Sequence, residues 1–373
     1  MIHTIELIQS LSEEELLDII SELNFTDQEQ QRLLSNDSFQ TVHRNLNNHN
    51  PENGIKDFFI LRRDDLRSRK YYAVIRIEPL VMIQGSLTVN LFLAVQTNIQ
   101  RLKVTFHDIM SQYFTNENLT TLSAWHCRRI DYTSNLHFSL PAEKDLFLKM
   151  TSKTSLYVRK QRKRIKTLKL DDQSTAEGNK SVKVIVYDKY KQIDDKYNDI
   201  PSEQKDDLLQ RATGIVRFEV QCLKNRVVSL QRKYRFDDRG ILNFLDEHIA
   251  YYVLLKEYTN SIGSCDFYSF YWAKKKIKES TFSTPKKRRL VQFLQLIAQA
   301  RHVDIAKEQF LTGTRIKHTD IIVQGSNSTF KNYLKDLISL GINPMLIPKE
   351  RKITYLANPI NKLMNPFSAY HAH

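Results

Sequence analysis

Apolar and polar residues alternate with a period of two at several places along the chain, and each such stretch predicts a half-buried strand. Met1-Ile-His-Thr-Ile-Glu-Leu opens this way, and at Ser12 it gives way to Glu-Glu-Glu-Leu-Leu-Asp-Ile-Ile, a capped helix start with acids in its first turn. Residues 71–78 and 86–95 read as two further strands, with Gln84-Gly85 at a sharp turn between them. Within 118–140 the run Trp-His-Cys-Arg-Arg-Ile-Asp-Tyr-Thr predicts a central strand, and 182–189 and 214–222 predict two more. Loop chemistry marks 45–54, a polar gap 171–180 and a charged linker 194–205, while 166–170 is expected to form a hairpin with 182–189. After Ser280 the pattern turns helical, beginning with Pro285-Lys-Lys-Arg-Arg. Strands with mixed connections predict an α+β fold on an antiparallel sheet over residues 1–275. A helical domain is expected over 285–373, with the boundary near 275–288.

The helix 328–341 is the best marked of that second region. Ser328 is its expected cap and Gly341 its end. Phe330, Tyr333, Leu334, Leu337 and Ile338 form the apolar face, and Lys331, Asn332 and Lys335 point outward. With a turn at 320–323 and a strand at 352–356 it resembles a winged helix-turn-helix, a form that lies in a DNA major groove. An ordinary packing helix fits the same pattern.

Charge narrows the choice of partner. The 56 Lys and Arg exceed the 42 Asp and Glu, giving a formal charge of +14, which favours a polyanion, nucleic acid ahead of an anionic membrane surface. No apolar run approaches a membrane span, and the first residues carry Glu13, Glu14 and Glu15 where a signal peptide carries cations, so a cytoplasmic location is expected. Cys127, Cys222 and Cys265 lie far apart and suit neither a zinc finger nor a disulfide framework. The absence of a Gly-x-x-x-x-Gly-Lys-Ser/Thr loop excludes an ATP-driven motor of that type.

Candidate chemistry sits on three strands. Residues two apart share a strand face, so Arg129 and Asp131 project together about Ile130, as do Arg217, Glu219 and Gln221 about Phe218 and Val220. If the two strands are neighbours, an Asp and a Glu converge beside arginines. Such carboxylates suit Mg²⁺ or Mn²⁺, or they form ordinary cross-strand salt bridges. Tyr187 closes the third strand in Val186-Tyr187-Asp188-Lys189-Tyr190. A phenol is a weak nucleophile at neutral pH and needs a base, a cation or a metal, and Lys189 is one source of that field. A packed edge tyrosine is the plainer reading.

Taken in order, these pieces resemble the gene II replication proteins of filamentous phages and their plasmid-borne relatives, along nearly the whole chain. Gln84-Gly85 stands where that family has the same pair. Arg129-Ile-Asp131 matches its Arg-Ile-Asp strand, Val186-Tyr187-x-Lys189 its nucleophile segment, and Gly214-Ile-Val-Arg217-Phe-Glu219 its second carboxylate strand. The resemblance implies a rolling-circle replication initiator, a metal-dependent endonuclease that nicks one origin strand, stays joined through phosphotyrosine and later reseals. Tyr187 is then the nucleophile with Lys189 beside it, and Asp131 and Glu219 are Mg²⁺ or Mn²⁺ ligands, with Glu78 as a third carboxylate. Tyr190 is a candidate second nucleophile, sharing a face with Tyr187 if the segment turns helical.

Arg129, Arg217 and the basic run with Arg159, Lys160, Arg162, Lys163 and Arg164 are expected on DNA, with Lys331 and Lys335. The implied partners are origin DNA, double- and single-stranded, and a bacterial host's helicase and polymerase. Ser86 stands where some relatives have histidine, and His371-Ala-His373 is read as a frayed tail rather than a metal strand. His126 and His137 are read as packed or surface imidazoles. The rival functions are a mobilisation relaxase and a non-catalytic DNA-binding replication regulator.

Overall fold

The computed structural model describes residues 1–34, 39–46, 51–64, 69–153, 163–164, 174–198 and 200–363. Its strands are β1 (Ile2–Leu11), β2 (Phe39–Arg44), β3 (Ile55–Asp64), β4 (Arg69–Ile77), β5 (His126–His137), β6 (Lys163–Arg164), β7 (Ser174–Gly178), β8 (Val182–Asp188) and β9 (Ile215–Cys222). They form one sheet in the order β2-β3-β4-β1-β5-β9-β8-β7-β6, and every neighbouring pair is antiparallel. Short two-stranded pairs lie outside it. The chain is thus mixed α and β, as expected, and no helix among the described residues is long and apolar enough to cross a membrane.

The two faces of the sheet differ in kind. Ile5, Leu7, Ile130, Tyr132, Phe218 and Val220 are all fully buried. At about 1.5–3 kcal/mol for each large side chain, this face dominates the burial energy of the central strands. The helix Glu247–Ser261 covers it, with Tyr258 edge-on to Phe218 at 5.2 Å between ring centroids. The Tyr132 hydroxyl donates to the Phe244 carbonyl and the Tyr258 hydroxyl to Asn358, each at 2.9 Å, so these polar tips in the core are satisfied. The opposite face carries the alternate residues, which are polar.

Several expected elements take other forms. Residues 86–95 make no strand beyond a single bridge of Phe92 to Ile2. Their backbone is tied by individual bonds, with Asn135 and the buried Arg217 both donating to the Val89 carbonyl. Gly85 does turn the chain, in the left-handed region at φ 61°, where it ends the helix Pro79–Gln84. Part of the expected polar gap is the strand β7, which pairs with β8; residues 166–170 lie outside the described residues. The charged linker is largely two helices, Lys189–Lys196 and Ser202–Ala212.

In the C-terminal region the late helix spans Asn327–Ser339, and its cap is Ser326, which accepts from the Thr329 amide at 3.2 Å, rather than Ser328. Lys331 and Lys335 are exposed as expected. The strand expected at 352–356 is the short Tyr355–Leu356. It pairs with Phe267–Tyr268, where Asp266 accepts from the Asn358 amide at 2.9 Å and the Tyr355 hydroxyl at 3.1 Å. The turn at 320–323 belongs to a hairpin of Thr314–Arg315 with Ile322–Val323. Across residues 275–288 run the end of one helix, a short connection and the start of another, and the buried apolar core continues through both.

Gly214 leads into β9 at φ 76°, and a Cβ there would stand 2.5 Å from the Phe138 carbonyl oxygen. That carbonyl is backbone and cannot step aside. Gly214→Ala should therefore destabilise the chain by about 2 kcal/mol or more, read as a lower midpoint of urea unfolding. An unchanged midpoint would show that the β5–β9 junction is not held this tightly.

Candidate active site

The polar face of the central strands forms a cleft of about 590 Å³. Strand register explains its lining. In β5–β9 Asp131 stands opposite Gln221 and Glu219 opposite Thr133, so the two acids lie on a diagonal of one face. In β8–β9 Tyr187 stands opposite Arg217, which brings the tyrosine to the same face two positions along from Glu219. Thr4 of β1 lies opposite Asp131, and Glu78, just past β4, closes the far side. Asp131, Glu219, Glu78, Tyr187, Lys189 and Arg129 all line this one cleft.

Its carboxylates are buried and partnered. Asp131 accepts two bonds from Arg129, at 2.8 and 2.6 Å, the planar fork that guanidinium and carboxylate favour. Glu219 accepts from Gln221 at 2.6 Å and from the Tyr187 hydroxyl at 3.4 Å. Glu78 pairs with Lys56 at 3.0 Å. Burial, and next the charge of Glu219, push Asp131 up to about 7, and Arg129 only partly offsets them. Lining the same cleft, six Lys or Arg side chains (Lys56, Arg76, Arg129, Lys189, Lys191 and Lys196) face four carboxylates, an excess that suits a phosphate-bearing substrate.

Tyr187 is buried, and desolvation followed by the nearby Glu219 charge holds its phenol above the ordinary range. In the resting cleft it is a neutral donor with its proton aimed at a base. Lys189 is buried too and donates to Gln192 at 2.7 Å; burial, then Arg217, hold it well below the usual lysine range. Asp188 caps the helix Lys189–Lys196 by accepting from the Tyr190 amide at 2.9 Å and also pairs with Lys144. That turn parts the two tyrosines. Tyr190 is on the helix, 40 % exposed and outside the lining of the cleft, so it does not share a face with Tyr187.

Arg217 is fully buried beneath the cleft rather than on a surface open to DNA. Its Nε donates to Asn135 at 3.0 Å, another nitrogen donates to the Val89 carbonyl, and its Nη1 meets no hydrogen-bond partner among the described residues. Of the basic run, Arg159, Lys160 and Arg162 lie outside the described residues, and Lys163 and Arg164 form the edge strand β6 against β7.

Sequence reasoning passed over His3. A β-bulge between Ile2 and Thr4 breaks the alternation there and turns the imidazole into the cleft. Nε2 lies 3.6 Å from Glu78 and Nδ1 4.0 Å from Glu219, while Nδ1 is also 2.9 Å from the Thr4 hydroxyl. Burial, then Arg217, hold this histidine well below its ordinary range, so it is a neutral imidazole.

Among the described residues no three His, Cys, Asp or Glu side chains are gathered into a ready cation cage. The donor set still fits a hard divalent ion, because Mg²⁺ takes one or two carboxylates and fills its shell with water and substrate phosphate. Asp131 and Glu219 are two buried carboxylates, the charge of Glu219 opposes ionisation of Asp131, and an ion between them would relieve it. Comparison with known proteins finds no matching family model, no matching characterised protein and no matching solved structure.

Between about pH 4 and 7 the folded chain keeps on Asp131 a proton that the unfolded chain has released. Stability therefore falls as pH rises through that window. Asp131→Asn should flatten this dependence, read as melting temperatures that no longer fall between pH 4 and 7. Millimolar Mg²⁺ or Mn²⁺ should stabilise the wild type at pH 8 and leave Asp131→Asn unmoved. Equal stabilisation of both proteins would remove Asp131 from the ligand set.

Proposed function

We propose that this chain nicks one strand of DNA through a covalent phosphotyrosine, as a rolling-circle replication initiator does. The observation that supports it best is the placing of Tyr187, with its hydroxyl 3.4 Å from Glu219, in a cleft that also holds Asp131 and an excess of cations. A buried phenol needs its proton taken as it attacks, and Glu219 is the acceptor already within reach. The Tyr187 oxygen attacks phosphorus and the strand's 3′ oxygen departs, to be protonated by solvent. The 5′ phosphate stays on the tyrosine, which stores the bond energy for resealing without ATP.

Arg217, opposite Tyr187 and already holding its phenol lower than burial alone would, offsets charge developing on the phenolic oxygen and the phosphate. A phosphate entering the cleft would favour the charged form of Lys189, so substrate and cation stabilise one another. Asp131 and Glu219 would hold Mg²⁺ or Mn²⁺, which supplies Lewis-acid polarisation of the scissile phosphate. Host helicase and polymerase would follow the nick, since the chain has no Walker-type ATP loop.

The test is a nicking assay with Mg²⁺ or Mn²⁺ on supercoiled plasmid carrying the gene's own flanking DNA, paired with adduct mapping on an oligonucleotide spanning the nick. Wild type should become joined to the 5′ end of the product. Tyr187→Phe should lose cleavage and adduct together, by about 10³-fold or more. Asp131→Ala and Glu219→Ala should lose nicking while keeping origin binding, and Tyr190→Phe should leave first cleavage intact. Cleavage without an adduct, surviving Tyr187→Phe, would mean a water nucleophile and would sink the tyrosine mechanism.

A further inference from the structure

Away from the cleft, the helix Phe270–Glu279 presents a surface that packing does not explain. Tyr271 and Trp272 are adjacent and stand 69 % and 41 % exposed, edge to face at 5.6 Å between centroids. Large rings are ordinarily drawn inside, and an exposed pair marks a contact surface. Ala273 and Ile277 bury the other side of this helix. Helical spacing puts Tyr271, Lys274, Lys275 and Lys278 in one outward stripe. Lys275 sits 5.0 Å from the Trp272 ring centroid, so cation and aromatic surfaces are continuous.

Charge completes the case. Between Phe270 and Arg289 there are eight Lys or Arg and a single acid, Glu279. Glu279 pairs loosely with Lys275 at 3.9 Å and Lys286 with Asp336 at 2.8 Å, while Lys274, Lys278, Arg288 and Arg289 have no acidic partner among the described residues. Arg288 and Arg289 are exposed on the next helix, Thr284–Ala300, which packs against the first. A solubilising face mixes both signs and keeps its rings covered. Here one sign and two bare rings occur together, and the ligand that answers both is a polyanion with flat faces.

We propose that this surface binds single-stranded nucleic acid without regard to sequence, stacking bases on Tyr271 and Trp272 and holding phosphates with Lys274, Lys278, Arg288 and Arg289. In a duplex the base faces are already stacked on one another, so the rings select a single strand. None of these residues lines the cleft, and the site is read by binding alone, so it stands or falls apart from the nicking mechanism.

The test uses the full chain, without divalent ions, and a short fluorescein-labelled oligothymidylate, with affinity measured by anisotropy between about 50 and 200 mM salt. Tyr271→Ala with Trp272→Ala should weaken binding at least about tenfold with the salt slope unchanged, and Trp272→Phe should retain most of the affinity. Lys274→Gln, Lys278→Gln, Arg288→Gln and Arg289→Gln together should cut the slope of log K against log salt by about 3. Trp272 and the fully buried Trp125 are the chain's two tryptophans, so quenching by the oligonucleotide should vanish in Trp272→Phe. Unchanged affinity and slope in both surface variants, with their melting temperatures intact, would overturn the proposal. So would a duplex bound as tightly as the single strand and indifferent to loss of the rings.

Discussion

Charge placed on a sheet face and then closed off from water is the constraint to which the rest of this structure answers. Asp131, Glu219 and Arg217 are each almost wholly removed from solvent. Each is kept there by fixed partners: Arg129 on Asp131, Gln221 and Tyr187 on Glu219, Asn135 and the Val89 carbonyl on Arg217. Deleting one member of such a buried pair costs about 3–5 kcal/mol, because the other is stranded. The partners come from β5, β8 and β9 and from the stretch after Gly85, so the charges dictate how these segments dock.

The same constraint separates the two faces by task. The apolar face supplies the burial that holds β1, β5, β9 and β8 side by side, and the polar face uses that rigidity to hold its groups at fixed distances. A second apolar cluster, with Val81, Leu87 and Val89 against Ile193 and Leu208, adjoins the cleft and fixes the helix that begins at Lys189. Tyr187 is the penultimate residue of the strand and Asp188, its last, caps the helix, so the nucleophile candidate stands at a junction fixed from both sides.

Much of this was legible in the sequence because period-two patterning fixes which residues share a face. Arg129 with Asp131, and Arg217 with Glu219 and Gln221, are examples, and the β5–β9 pairing places the two sets together. What was not legible depends on departures from that period or on distant contacts. The bulge at His3 is invisible in the residue letters. Residues 86–95 alternate well, yet their amides and carbonyls are bonded one by one to β1 and to buried side chains. Ser174–Gly178 is too polar to read as a strand and is one because β8 offers it an open edge. Ser326 rather than Ser328 caps the late helix, and Tyr355–Leu356 takes its strand partner, Phe267–Tyr268, from far back in the sequence.

The order of strands in space, set against their order along the chain, bears on how the protein is made. β1 lies between β4 and β5 in the middle of the sheet, and β5 pairs with β9, so the central ladders join segments far apart in sequence. Contacts of that kind close large loops before they return any stabilisation, which slows folding. During synthesis β1 emerges before β4 and β5 and waits with open edges for them, a species prone to pairing with another copy. Glu219 and Arg217 arrive only with β9. The cleft therefore cannot assemble on a nascent chain shorter than Cys222, and its completion coincides with a late step of folding.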